Sequence, residues 1–122
     1  MSQQQPVTPQ LILISPILPG QVEAWRRFIQ EIVNGHGDSH AASRHEMQIR
    51  QERIWIHEMA GGAVVMFVIE AEWPEAVLRG LATSKRPFDQ WFRQQLLALL
   101  GNDLTQSAHK LLPDLLFGWQ SD

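Results

Sequence analysis

At 122 residues the chain has room for one domain with a real core and too little for two. It is 44% hydrophobic and 19% charged with a net charge of −3 and scattered Lys and Arg, which argues against disorder and against a nucleic-acid partner. The absence of cysteine removes disulfides, thiolate nucleophiles and Cys-ligated metals, and no run approaches the ~20 apolar residues of a membrane span.

Residues 1–9 are rich in Gln and Pro with little to bury, and read as a flexible tail before a single domain over 10–119. The start carries no cationic segment followed by an apolar one, so no signal peptide is expected and a cytoplasmic protein is the default. Leu11 to Ile14 is a β-favouring run that suits a strand covered on both faces. Pro19-Gly20 punctuates the chain before a helix from Gln21 to Val33, whose stripe is Val22, Trp25, Phe28, Ile29, Ile32 and Val33. Glycines at 35 and 37 end that helix, and Asp38 or Ser39 is placed to cap a second one running to about Gln48.

Arg53 to Met59 alternates as a strand, with Ile54 and Ile56 on one face and Arg53, Trp55 and His57 on the other. Gly61-Gly62 turns the chain into the strongest strand, Ala63 to Ala71, giving a hairpin. Both faces of that strand are apolar until Glu70, so one must meet helices and the other something else. Pro74 opens a helix to about Ala82, and Phe88 to Leu100 forms another, with Phe88, Trp91, Phe92, Leu96, Leu99 and Leu100 as its stripe. Leu111 to Trp119 is apolar but interrupted by Pro113, and reads as a last edge strand or an extended packing arm.

The resulting order is strand, split helix, strand, strand, split helix, strand: an α+β, ferredoxin-like βαββαβ arrangement around an antiparallel sheet. Helices cover one face of such a sheet. The apolar second face predicts a homodimer built by two sheets back to back.

On Leu18-Pro19-Gly20 before the Trp25 helix, the stretch from Glu46-Met47 to Trp55, the Gly61-Gly62 hairpin and the block Arg86 to Phe92, the chain resembles the dimeric α/β-barrel superfamily, and within it small families of uncharacterised bacterial proteins. The resemblance spans about residues 10–119. It implies a dimeric α/β barrel and a pocket inside the barrel or between sheet and helices. The activities it implies range from cofactor-free monooxygenation and haem degradation to isomerisation and ligand binding. No catalytic motif transfers residue by residue.

Two constellations bear on chemistry. His36 and His40 stand four apart with His45 beyond, but the glycines around His36 break the helix and no carboxylate spacing completes a metal site. Neither a metal nor another cofactor is therefore expected. Arg53, Trp55 and His57 share a strand face and combine a cation, a flat surface and an imidazole, with Glu70 on the neighbouring strand. These four, with Trp91 and His45, form the candidate site: His57, Arg53 and His45 for proton transfer and charge stabilisation, and Trp55, Glu70 and Trp91 for binding. The bland alternative is pairing of an Arg or His with a carboxylate across the sheet. Most tryptophans, Trp25 and Trp91 among them, read as core. The expected function is binding of a small, partly apolar molecule, with cofactor-independent monooxygenase-like chemistry at its sharpest. Its rival is a non-catalytic homodimeric interaction module.

Overall fold

A computed structural model describes residues 10–122, and the tail expected over 1–9 lies outside the described residues. The chain is an α+β fold on a three-stranded antiparallel sheet. Its strands are β1 (Gln10–Pro16), β2 (Ile49–Met59) and β3 (Gly62–Ala71), in the order β1-β3-β2. The helices are α1 (Val22–Gly35), α2 (Gly37–Glu46), α3 (Pro74–Thr83), α4 (Pro87–Leu100) and the single turn α5 (Leu104–Ser107), followed by a 3-10 turn over Ala108–Leu111. Among the described residues no helix is long and apolar enough to cross a membrane.

Period two decides the sheet. Leu13 pairs with Phe67 and Ile54 with the same Phe67 from the other side, so Leu13, Val65, Phe67, Ile69, Ile54 and Ile56 share the face under the helices. Its centre is an aromatic cluster. Trp25 of α1 meets Phe67 edge-on with ring centroids 6.1 Å apart, and Phe28 and Phe92 close the contact between α1 and α4. Trp25, Phe28 and Phe92 are each 1% exposed.

The helix boundaries have local causes. His36 ends α1 and begins α2, and its own amide bonds back to the Ile32 carbonyl. Asp38 sits in the first turn of α2, where the helix dipole favours it, but neither it nor Ser39 makes the expected cap. Val33, expected on the α1 stripe, faces solvent. Pro74 and Pro87 open α3 and α4, and Gly101 closes α4 at φ 71° with its amide on the Leu97 carbonyl.

Two expectations are corrected. No fourth strand forms over 111–119: Leu111 ends the 3-10 turn, is fully buried, and is followed by chain without regular structure. Among the described residues none beyond Leu112 makes a backbone hydrogen bond, and Pro113 has no amide to donate, so no ladder forms there. In addition, β1 is covered on one face only, and Ile12 and Ile14 project from the other, each 38% exposed.

Candidate functional site

The strand face away from the helices carries the residues that alternation singled out. Across it, Trp55 of β2 lies opposite Met66, His57 opposite Val64 and Arg53 opposite Val68, while Ile12 and Ile14 of β1 flank Val68 and Met66. Most of this surface is apolar and uncovered, with Trp55 and Met59 at least half exposed.

Apart from His57 towards the hairpin, its polar groups gather at one end. The register shift between Ile49 and Gln51 brings Gln51 opposite Glu70. In the orientation its neighbours require, the Gln51 amide donates to Glu70 Oε2 at 2.8 Å and accepts from Arg53 Nη2 at 2.9 Å. Arg53, Gln51 and Glu70 thus form one hydrogen-bonded row, with Trp55 and His57 continuing along β2. Glu72, just past β3, instead pairs with Arg50 at 2.9 Å.

Two members of the expected site stand apart from this face. His45 is exposed on α2, and Trp91 is half-buried on α4, stacked on His36 with ring centroids 4.4 Å apart. Both belong to the helical layer. The sheet separates them from Trp55 and His57, because α2 and α4 pack on the Phe67 side. The strand face therefore unites Arg53, Trp55, His57 and Glu70.

The helical layer holds a second constellation, which pattern reading missed. Arg44 of α2 is 5% exposed, and its guanidinium lies 4.7 Å from the centre of the Phe92 ring. Its Nε donates to Glu52 Oε1 at 2.9 Å, and its Nη1 donates to Ser43 Oγ at 2.9 Å. Ser43 Oγ in turn donates to Asp89 Oδ1 at 2.6 Å, and Ser84 Oγ donates to Asp89 Oδ2 at 2.5 Å. His40 reaches Glu52 Oε1 at 2.8 Å. Burial pushes the Glu52 carboxyl up, yet the His40 hydrogen bond and the Arg44 guanidinium outweigh it and hold the group at about 2.

The imidazoles once weighed as metal ligands thus have separate engagements, His36 on Trp91 and His40 on Glu52, with His45 in water. Among the described residues no group of three or more His, Asp or Glu is placed to hold a metal. A cleft of about 720 Å³ between α2, α3 and the Ser84–Arg86 loop reaches down to Asp89, but both Asp89 oxygens are already taken by the two serines. On the strand face, Trp55 and His57 make none of the described side-chain hydrogen bonds. Comparison with family models, with curated proteins and with solved structures gives no match in any of the three.

Proposed function

We propose that the protein is a homodimer of dimeric α/β-barrel type, ferredoxin-like in each protomer, whose two uncovered sheet faces enclose a small, partly apolar molecule. One observation carries the reading: a continuous strand face of Ile12, Ile14, Met66, Val68 and Trp55 is apolar while helices cover only the opposite side. Apolar area removed from water gains roughly 25 cal/mol per Å², and a self-complementary patch repeats itself about a two-fold axis.

Within the enclosed space Arg53, Trp55 and His57 supply a cation, a stacking plane and a titratable imidazole. In the cofactor-independent, monooxygenase-like form of the reading, His57 takes a proton from the bound molecule and Arg53 stabilises the negative charge that develops. A second reading, a non-catalytic homodimeric interaction module, is favoured by the Arg53–Gln51–Glu70 row, whose members satisfy one another without a ligand.

Native mass spectrometry of gently purified protein separates the two. The first reading expects a dimer with an added small-molecule mass, lost in His57→Ala and Arg53→Ala chains that remain folded. A bare dimer, with variants changed in stability alone, selects the interaction module. A monomer overturns both.

A further inference from the structure

The segment after Leu111 is apolar chain that its own protomer leaves in water. Leu111 is buried beside β1 and fixes where the segment starts, yet Leu115, Leu116, Phe117 and Trp119 are 86, 93, 80 and 78% exposed. Singly exposed apolar residues are ordinary; four within five positions mark a surface that is covered in use.

The pattern of the segment is that of a strand. Past Pro113, Leu115, Phe117 and Trp119 fall on one side at period two, and Asp114, Leu116, Gly118 and Gln120 fall on the other. A vacant pairing edge is available to it. β1 bonds to β3 alone, so its outer edge offers backbone N–H and C=O groups to any added strand. Sheet edges are ordinarily guarded by charge, proline or bulges, whereas β1 reads QLILISP, has no charged residue, carries its one proline only at its last position, and pairs with β3 in unbroken register. The stretch Asp114–Gln120 also matches the 7-residue length of β1.

We infer that Asp114–Gln120 crosses to a second copy of this chain, adds there as a fourth strand on the free edge of β1, and sets Leu115, Phe117 and Trp119 against that copy. The inference rests on the sheet-to-sheet dimer proposed above. Two observations favour a second copy over the same protomer. Among the described residues none beyond Leu112 makes a backbone hydrogen bond to β1, although Leu111 is anchored next to it. The uncovered face reaches that same edge through Ile12 and Ile14, so a copy seated on the face is within the arm's reach. The exchange is reciprocal under a two-fold axis. Aromatic side chains bury roughly 150–250 Å² each, so two arms supply on the order of 1,000 Å² of the roughly 1,600 Å² in a standard interface.

Two measurements on the full chain test the exchange. In sedimentation velocity the L115S/F117S/W119S variant keeps the parent's circular dichroism and loses dimer affinity by at least about thirtyfold, the scale of a hot-spot loss. Because the chain has no cysteine, an I12C chain mixed with a differently tagged F117C chain and a short bis-maleimide reports where the arm lies. The expected product joins the two tags. A triple variant that dimerises as tightly as its parent, or an I12C/F117C double variant that cross-links only within one chain, overturns the exchange and leaves the sheet-to-sheet dimer standing. A parent chain that is monomeric at every concentration overturns both.

Discussion

Glu52 shows how a buried charge is made tolerable. It is deeply buried beside Arg44 and His40, and a carboxylate there without partners would protonate. With them, its carboxyl lies at about 2 against an ordinary 4.5. A depressed carboxyl stabilises the fold fully above the ordinary value, and that stabilisation drains as pH falls from 4.5 towards 2. At about 1.4 kcal/mol for each tenfold change in proton affinity, roughly 3 kcal/mol is at stake. Glu52→Gln should cost about 3–5 kcal/mol at neutral pH, because Arg44 is left buried without its main counter-ion. Urea midpoints measured through the acid range should fall steeply for the parent and more gently for the variant. Equal slopes would assign the acid sensitivity to another group. None of this was legible in the sequence. Arg44, Glu52 and Asp89 come from three elements at spacings that match no motif, and Asp89 near the start of α4 is equally well explained by the helix dipole alone.

At the scale of elements, apolar runs, alternation and helical stripes were enough to place the three strands, α1 and α4, which bury apolar faces in one core. The helices α2 and α3 were placed by their glycine and proline punctuation, and α2 buries Ser43 and Arg44 instead of an apolar stripe. The segment after Leu100 was not readable in the same way. Its apolar residues suit a strand, but a strand exists only beside a partner, and within the protomer none is taken. Helix ends were legible where a single residue enforces them. Gly101 holds φ 71°, and an added Cβ would lie 3.2 Å from Leu18 Cδ2. Gly101→Ala therefore combines left-handed strain, about 1–2 kcal/mol, with crowding of Leu18. A lower melting temperature is expected, with the sedimentation behaviour at low temperature unchanged from the parent chain. An undisturbed melting temperature would mean that the α4 terminus relaxes freely.

For the whole molecule, the sheet divides two kinds of surface. The helical side is aromatic at its centre, with buried Ser43, Arg44 and Asp89 and the Glu52 carboxylate paired in one network. The other side is an apolar field with a polar row at one end. Strand alternation identified Arg53, Trp55 and His57 as one face, but it could not foresee that Gln51 links Arg53 to Glu70. That link depends on an irregularity in β2 which period-two reading does not see. Met66 lies at the centre strand of the open face and is half-buried in the single protomer. If the proposed dimer forms through this face, Met66→Glu should leave the monomer folded and shift that dimer to monomer in sedimentation, since a charge cannot be buried unpaired at the middle of an apolar contact. A dimer indifferent to that change would move the interface off the sheet. The pairing of β1 with β3 alone also sets an order of events during synthesis. β1 leaves the ribosome before β3, its partner among the described strands, which is finished roughly 55 residues later, several seconds at ~5–20 residues per second. β2 and β3 are joined by a tight turn and can close in microseconds once made. The nascent chain therefore holds Leu11–Ile14 as an unpaired apolar strand until the hairpin arrives to receive it.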